Sequence, residues 1–300
     1  MSNSSEKVLE SSKVVVDLDK CTKCKACVTE CPSYIFLFEN NDLSFQDNSD
    51  ECVECGHCVA VCPVGAVTTK NLSNSDIIKI TGEVKVPSYQ QILNSIKIRR
   101  STRHFKKKSL PNDVWEKLVE STRYVPTAHN YQQIYMTIVR DPEMLDTLSR
   151  EMTKTFRLLV HMFKSPIKRK ILEDASSKAE MEGLKEFIPI FEEEIKNVES
   201  GKRDWNLGRE VILFHSLESN TFSKQECAMA ANNFMLAAES LGVGTCSLGF
   251  LMVATNKMKS LSRLLGIPKK HSVGYALAVG IPKIKYHYIP ARQHAKLNWI

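Results

Sequence analysis

The sequence has no long apolar run. Its longest uncharged apolar stretch covers residues 246–254, far short of the ~20 residues that a helix needs to cross a bilayer. The first ten residues, MSNSSEKVLE, are polar and contain no apolar segment of the kind found in signal peptides. These absences argue against a membrane protein or an exported one, and we expect a cytoplasmic location with no membrane partner.

Cysteine is scarce outside one region. Eight of the ten cysteines lie between residues 21 and 62, and the other two, Cys227 and Cys246, are isolated. This distribution argues against the disulfide framework of a secreted protein and suits a reducing compartment. We expect both isolated cysteines to be small packed residues, because no histidine stands in a pattern that would activate Cys246 as a nucleophile.

The eight clustered cysteines form two copies of one pattern. The first copy reads C-T-K-C-K-A-C-V-T-E-C-P, and the second, 31 residues later, reads C-V-E-C-G-H-C-V-A-V-C-P. Two-residue gaps let one loop supply three thiolates to an iron–sulfur cluster, while the fourth cysteine, before proline, reaches the other cluster. The pattern therefore predicts two [4Fe–4S] clusters, one held by Cys21, Cys24, Cys27 and Cys62, the other by Cys52, Cys55, Cys58 and Cys31.

Zinc is the main alternative for these cysteines. Zinc sites generally use two C-x-x-C pairs per ion, whereas each copy here has three cysteines at two-residue gaps and a fourth before proline. The pattern resembles the bacterial two-cluster ferredoxins over residues 14 to about 70. Such a segment is too short for a generous apolar core, so the clusters themselves are expected to hold it together.

Length and composition predict about two domains. The chain has 300 residues, of which 43% are hydrophobic and 25% charged, as in ordinary globular proteins. We expect a disordered N-terminus over residues 1–13, a two-[4Fe–4S] ferredoxin-like domain with its linker over residues 14–86, and a second domain over residues 87–300. The first 86 residues carry a net charge of −5 and the rest carry +12. This asymmetry suits either docking of an acidic electron carrier onto a basic module or two differently solvated surfaces.

Apolar periodicity predicts both helices and strands. Short strands are expected over residues 14–16 and 66–69, and longer ones over 135–139, 210–215 and 272–279. Helices are expected over 112–124 and 143–163. Another helix begins at a Ser223–Glu226 capping box and runs to Leu241, where Gly242 ends it. That helix is apolar nearly all round, which predicts burial in a core or a subunit interface. Residues 167–200 read as a lid or peripheral insertion.

Three short motifs in the second domain are candidates for a ligand site. R-R-S-T-R places Arg99, Arg100, Ser101 and Arg103 together, and guanidinium groups pair well with phosphate. The P-T-A-H-N-Y-Q loop, residues 126–132, offers amides that donate and accept hydrogen bonds. The G-V-G-T-C-S-L-G segment, residues 242–249, allows close backbone approach to a flat ligand. Without interleaved aromatic residues, the basic segment does not predict nucleic-acid binding.

In this order and spacing the motifs resemble the nitroreductase family of FMN flavoenzymes, over residues 88–300. The resemblance implies an α+β sandwich that forms a homodimer and binds FMN. It also implies FMN contacts from the three motifs and from a cation in the tail. The residues concerned are Arg99, Arg100, Ser101, Arg103, Pro126, Thr127, Ala128, Asn130, Gln132, Cys246, Leu248, Gly249 and Arg292.

Within that family the loop containing Asn130 comes from the partner subunit, and the backbone near Cys246 lies beside the reactive flavin nitrogen. The sequence departs from the family in this loop: Gln132, Gln133 and Ile134 stand where Q-P-W is usual, and Thr127 and Ala128 replace paired serines. The long apolar helix corresponds to the helix of the dimer interface. No catalytic side chain is predicted, because the chemistry takes place on FMN.

Together the two halves resemble ferredoxin–nitroreductase fusions of anaerobic microbes. The expected activity is reduction of nitroaromatic or nitroheterocyclic compounds or quinones. Electrons would come from NAD(P)H or from a reduced ferredoxin or another oxidoreductase, since no G-x-G-x-x-G fingerprint decides the donor. Three alternatives remain open: an electron-transfer module that serves a partner, another flavin reaction such as flavin breakdown or reductive dehalogenation, and a regulatory redox sensor.

Overall fold

The computed structural model describes residues 7–82, 84–174, 177–202, 205 and 210–300. The chain divides into two compact units. One contains the chain up to Val86 together with Thr127–Tyr131, and the other contains Pro87–Pro126 and Gln132–Ile300. Among the described residues, no helix combines the length and apolar character needed to span a bilayer.

The first unit is built from short strands around the two cysteine runs. Strands β1 (Val8–Glu10), β2 (Val14–Asp17) and β5 (Val67–Thr69) form an antiparallel sheet in the order β1-β2-β5. Strands β3 (Phe36–Glu39) and β4 (Asp42–Phe45) form a hairpin. Its two turn residues, Asn40 and Asn41, both have positive φ, which matches the twist of a two-residue hairpin.

Short helices follow the cysteine loops. They are α1 (Ala26–Glu30) and α2 (His57–Ala60), with 3-10 turns at Asp47–Glu51 and Asn74–Asp76. Val14, Val16, Ile35, Phe36 and Val67 form a small core with buried Cys31. The strands expected over residues 14–16 and 66–69 are therefore present. The disordered N-terminus is wrong for Val8–Glu10, which pairs with β2, while residues 1–6 lie outside the described residues.

The second unit has a four-stranded antiparallel sheet in the order β6-β7-β9-β8. Its strands are β6 (Tyr135–Val139), β7 (Glu210–Leu217), β8 (Gly244–Ser247) and β9 (His271–Gly280). β7 and β9 lie at the centre and are buried along almost their whole length. Burial on both faces explains why β7 reads as a continuous apolar run instead of alternating with polar residues.

Helices cover both faces of this sheet. The second unit contains α3 (Tyr89–Ile98), α4 (Asn112–Glu120), α5 (Pro142–Lys164), α6 (Pro166–Asp174), α7 (Lys178–Glu199), α8 (Ser223–Ser240), α9 (Gly249–Lys257) and α10 (Lys259–Leu264). Val211 and Leu213 of β7 pack in one core with α5, α7 and α9. Ile212 and Phe214, on the opposite face, pack in another core with α4 and α8. The result is an α+β sandwich, as the sequence predicts.

Two expectations about the helices need correction. Ser223 is not the N-cap of α8: Phe222 occupies that position without a side-chain cap, while Asn220 donates to the Glu226 carboxylate. The insertion over residues 167–200 is only partly peripheral. α6 has no buried residue, but α7 places Ile188 and Phe191 in the core.

A buried carboxylate joins α4 and its neighbouring loop to the sheet. The Glu210 side chain is fully buried and accepts from Arg140 Nε at 2.8 Å. It also accepts hydrogen bonds from the Leu110 N–H and the Trp115 indole. Because several donors satisfy the carboxylate, its burial is compensated.

Candidate functional site

The two cysteine runs adopt the same backbone conformation. Lys23 and Glu54, 31 residues apart, both have positive φ, and so do the pairs Lys25 and Gly56, and Tyr34 and Gly65. A left-handed residue in each C-x-x-C gap turns the loop sharply, so the cysteine side chains point to one side of it. α1 and α2 begin directly after Lys25 and Gly56.

The thiols line two separate cavities. One cavity is lined by Cys21, Cys24, Cys27 and Cys62. The other is lined by Cys31, Cys52, Cys55 and Cys58. We call the group that the first cavity would hold the first cluster, and its counterpart the second cluster. In each cavity the fourth cysteine belongs to the other run, which is the crossed arrangement that the spacing predicts.

Each cavity offers four thiols, the number of ligands that a [4Fe–4S] cluster takes. Among the described residues, no three His, Cys, Asp or Glu side chains converge closely enough to hold one metal ion, although four thiols surround each cavity. Backbone N–H groups also point at sulfur: those of Lys23, Glu54 and Ala66 lie 3.2–3.4 Å from Sγ of Cys21, Cys52 and Cys62. Such bonds stabilise the charge of sulfur-ligated clusters.

Burial makes several of these thiols hard to ionise. It raises the pKa of Cys58 to about 12, and neighbouring thiols act in the same direction. Burial also raises the pKa of Cys27 and Cys52. Thiolates are the ligating form, so cluster binding must displace these protons. The positive charge of the iron would then compensate the negative thiolates that burial disfavours.

In the second unit, two of the predicted flavin-binding motifs lie side by side. Ser101 forms a parallel bridge with Thr245 of β8, and the Thr102 N–H donates to the Thr245 carbonyl at 2.8 Å. The contact is close: a Cβ built on Gly244 would lie 2.7 Å from Thr102 Oγ1. Gly244 therefore permits R-R-S-T-R to reach the glycine segment.

The three arginines of this motif leave their positive charge uncompensated. Within the described part of the chain, no carboxylate forms an ion pair with Arg99, Arg100 or Arg103. Arg100 donates to the carbonyls of Ile98 and Lys97 at the end of α3. Uncompensated guanidinium groups next to a closely packed glycine segment fit an anionic ligand such as a phosphate.

Cys246 is packed and poorly ionisable. It is buried and pairs with Ala278 of β9. Burial raises the pKa of Cys246, and Arg103 and Arg99 partly oppose that shift. Leu248 is buried at the start of α9, and Gly249 is the first residue of that helix. Cys227 is also buried, with its pKa raised to about 12 by burial, which is consistent with a packing role.

The start of the tail joins the same site. Lys106 N–H donates to the Ile281 carbonyl, Lys283 N–H donates to the His104 carbonyl, and Tyr286 Oη donates to the Ser101 carbonyl at 3.3 Å. Arg292, further along the tail, is exposed. Thr102 and Tyr286 were missed by sequence reasoning, since neither residue type nor spacing marks them.

The loop of residues 126–132 is divided between the units. Pro126 and Gln132 belong to the second unit, whereas Thr127–Tyr131 belongs to the first. Ala128–Asn130 forms a 3-10 turn, and His129, Asn130 and Gln132 all have positive φ. The Asn130 carboxamide donates to the carbonyls of Val53 and Glu54 at 3.2 and 2.9 Å. Sequence reasoning assigned this amide to a flavin and missed its contact with the second C-x-x-C gap.

Comparison with known proteins gives relatives for both units. A family model described as "Nitroreductase family" matches residues 96–281, and one described as "4Fe-4S dicluster domain" matches residues 13–63. A protein of Archaeoglobus fulgidus named "Putative NADH dehydrogenase/NAD(P)H nitroreductase" is 25% identical over 198 residues, which are 65% of this chain and 87% of that protein. A Methanothermobacter thermautotrophicus protein of the same name is 25% identical over 217 residues, 71% of this chain and 89% of its own.

Solved structures that match this chain include a nitroreductase with bound FMN from Bacteroides fragilis. It is 21% identical and covers 69% of this chain and 99% of its own, with a TM-score of 0.49. An FMN-dependent nitroreductase from Clostridium difficile is 17% identical and covers 70% of this chain and 100% of its own, with the same TM-score. Since the nitroreductase model alone spans more than half of the 300 residues, the chain belongs to the nitroreductase family of FMN-dependent oxidoreductases and carries a 4Fe-4S dicluster domain ahead of it.

Proposed function

We propose that this protein uses FMN and two [4Fe–4S] clusters to reduce nitroaromatic or nitroheterocyclic compounds or quinones. The observation that carries the proposal is the junction of Ser101 with Thr245, which joins an uncompensated group of arginines to the glycine segment. The two four-thiol cavities of the other unit support a second redox group in the same chain.

The residues around the junction suit FMN. Arg99, Arg100 and Arg103 would neutralise its phosphate, and the Ser101 hydroxyl would donate to it. The backbone of residues 246–249 would lie along the ring, where the absence of a side chain at Gly249 leaves open space. Arg292 and the loop containing Pro126, Thr127, Ala128, Asn130 and Gln132 complete the proposed set. We also propose that two copies of the chain form a homodimer, as is typical of the family.

When bound, the clusters supply single electrons at low potential, and the flavin accepts electrons singly or as hydride and passes pairs to an organic acceptor. The protein's own contribution is to hold these groups and to keep its two remaining thiols un-ionised. Burial keeps Cys246 and Cys227 protonated, so neither thiol competes as a nucleophile. NAD(P)H, or a reduced ferredoxin or other oxidoreductase, would be the donor. The many thiol ligands favour a reducing, cytoplasmic setting.

The decisive experiment is an anaerobic visible-absorbance titration of the reconstituted full-length protein with NADH, NADPH and reduced ferredoxin. We expect stoichiometric bleaching of the flavin band with at least one donor, followed by reoxidation on adding a nitroaromatic compound. Bleaching with ferredoxin alone would identify the clusters as the entry point. A flavin that is reduced but not reoxidised by nitro compounds or quinones would reject the proposed acceptors and leave the electron-transfer module.

A matched pair of variants tests the proposed phosphate contact. Arg103→Leu removes an exposed cation of the motif, and Arg263→Leu removes an exposed cation on α10. We expect Arg103→Leu to weaken FMN binding by about 10- to 100-fold, since one charge-assisted hydrogen bond contributes roughly 1.5–3 kcal/mol, and Arg263→Leu to leave it unchanged. Equal FMN affinity in both variants would refute the assignment of Arg103.

A further inference from the structure

The two cysteine runs differ in what binds their first C-x-x-C gap. In the second run, the carbonyls of Val53 and Glu54 accept hydrogen bonds from Asn130 Nδ2 at 3.2 and 2.9 Å. The equivalent residues of the first run are Thr22 and Lys23, and within the described part of the chain no side chain donates to their carbonyls. One copy of a repeated loop is thus held by a side chain from a distant segment, and the other copy is not.

The Asn130 contact continues to a cluster ligand. The Val53 carbonyl and the Glu54 N–H are the two ends of one peptide group, and that N–H lies 3.4 Å from Cys52 Sγ. A peptide whose carbonyl accepts a hydrogen bond becomes a stronger N–H donor, because bonds in a chain polarise one another. Hydrogen bonds to the sulfurs are among the factors that set cluster reduction potentials.

The carboxamide of Asn130 is committed to this contact. An asparagine amide has two N–H donors, and two carbonyls of the cysteine loop lie within reach of that nitrogen. The acceptor oxygen is the group that remains for another ligand. Glu54 is itself in the left-handed region, with φ of 52°, a conformation that costs a non-glycine residue energy and needs support from its surroundings.

We propose that Asn130 is a positioning residue for the second cluster and raises its reduction potential through the Val53–Glu54 peptide. The proposal rests on the proposed function, since it takes the four-thiol cavity as a [4Fe–4S] site. Asn130 also lies in the loop assigned to the flavin. Through this contact the residue would act on the potential of the second cluster and leave the other cluster unaffected.

The test is an anaerobic redox titration of the full-length protein followed by electron paramagnetic resonance. Asn130→Ala removes both donors to the loop. Asn71→Ala is the matched control, because Asn71 donates to the Glu54 side-chain carboxylate at 2.9 Å and not to the peptide. Lys13→Met identifies the signal of the second cluster, since the Lys13 ammonium lies 2.7 Å from the Cys52 carbonyl and its loss makes that cluster harder to reduce.

We expect Asn130→Ala to shift the signal identified by Lys13→Met to a more negative potential, with the other signal unmoved and Asn71→Ala without a comparable shift. Unchanged potentials, an equal shift of both signals, or the same shift in Asn71→Ala would each overturn the proposal. If Asn130→Ala retains too little iron to titrate, Asn130→Ser, which keeps one donor, must shift the same signal in the same direction; an unshifted signal rejects the proposal.

Hydrogen exchange supplies a second readout. The peptide that contains Glu54 should exchange faster in Asn130→Ala than in Asn71→Ala, and the peptide that contains Lys23 should be unaffected; equal exchange would contradict the proposal. Neither measurement depends on flavin reduction or on a nitro compound. Failure of the proposed nitro-reducing function would therefore leave this test intact, and failure of this test would leave that function intact.

Discussion

At the scale of single residues, His215 is a buried imidazole with few polar neighbours. Its Nδ1 lies 2.9 Å from Nδ1 of His271, and its Nε2 lies 3.1 Å from Thr137 Oγ1. The ring also stacks on Tyr135 at 6.0 Å. Burial lowers the pKa of His215 to about 4, and His271 adds to the shift. Among the residues that the structure describes, no carboxylate forms an ion pair with His215, so the ring stays neutral in the folded protein at neutral pH.

This depressed pKa predicts an acid-sensitive second unit. The unfolded imidazole titrates near its ordinary value of about 6.5, so protonation favours the unfolded state as the pH falls from there toward 4. The stabilisation is complete above pH 6.5, and about 2 kcal/mol of it should be lost by pH 5. Urea unfolding at pH 7.5 and pH 5, followed by the fluorescence of Trp115, Trp205 and Trp299, measures this difference.

His215→Gln should remove most of that pH-dependent loss, because the glutamine has no charge to gain. His161→Gln, at an exposed position on α5, should keep the wild-type pH dependence. If His215→Gln lost as much stability as the wild type between pH 7.5 and pH 5, other groups would have to account for the acid sensitivity.

The grouping of side chains was predictable where the spacing of residues along the chain determines it. The grouping of four thiols follows from the intervals between cysteines, and each cavity contains the expected set. The environments of His215 and Asn130 depend on residues 56 to 77 positions away. A single sequence carries no local signal for such contacts.

At the scale of elements, β8 is the strand that brings R-R-S-T-R to the glycine segment. Gly244→Ala would place its Cβ 2.7–2.8 Å from three side-chain atoms of Thr102, so the segment has to move. Overpacking of this kind costs about 1–3 kcal/mol. We expect the variant to lose stability by that amount and to bind FMN at least several-fold more weakly, as measured by fluorescence titration of the flavin.

Gly183→Ala, within α7, is the control, because a Cβ there meets nothing within 4 Å. It should match the wild type in FMN affinity and be equal or slightly higher in stability, since alanine favours helix. Wild-type affinity in Gly244→Ala would mean that the contact with Thr102 does not position the proposed phosphate-binding residues.

At this scale the long apolar strands were predictable, as were the short strands β2 and β5, whereas other short elements were not. β6 and β9 fall within a residue of their expected bounds, because both are largely apolar runs of strand length. β8 was expected as part of a loop. Its four residues include a glycine and two small polar residues, and only pairing with β9 makes them a strand. The β3–β4 hairpin was also missed, although its Asn40–Asn41 turn between apolar residues is a local signal for a hairpin.

At the scale of the whole chain, each cysteine run contributes one thiol to the cavity lined by the other run. Cys31 belongs to the first run by sequence but lines the cavity of the second, and Cys62 does the reverse. Cys31→Ser should therefore perturb the same resonance signal as Cys55→Ser, and Cys62→Ser the same signal as Cys24→Ser. Electron paramagnetic resonance of the reduced protein, with iron analysis, distinguishes the pairs.

An uncrossed arrangement would give the opposite grouping, with Cys31→Ser matching Cys24→Ser. Glu54→Gln provides a control that changes the second loop without removing a sulfur, and it should retain both signals and the iron content of the wild type. Two clusters correspond to about eight iron atoms per chain, and loss of one cluster to about four.

The division of the chain into two domains was predictable, because the cysteine runs and the proposed flavin-binding motifs each lie within their own segment of the sequence. The membership of Thr127–Tyr131 in the first unit was not. Those five residues are flanked on both sides by residues of the second unit, and only long-range packing assigns them elsewhere. Nothing in the composition of this segment indicates that it packs with the first unit.

The repeated left-handed positions of the cysteine runs, from Lys23 and Glu54 to Tyr34 and Gly65, have a consequence for any experiment on this protein. The two loops have the same backbone conformation and are measured in the same molecule, solvent and redox buffer. Each loop is therefore an internal control for the other. A difference in behaviour between them cannot come from the shape of the loop. It must come from the side chains that differ between the copies or from a residue outside the repeat, and Asn130 is one such residue.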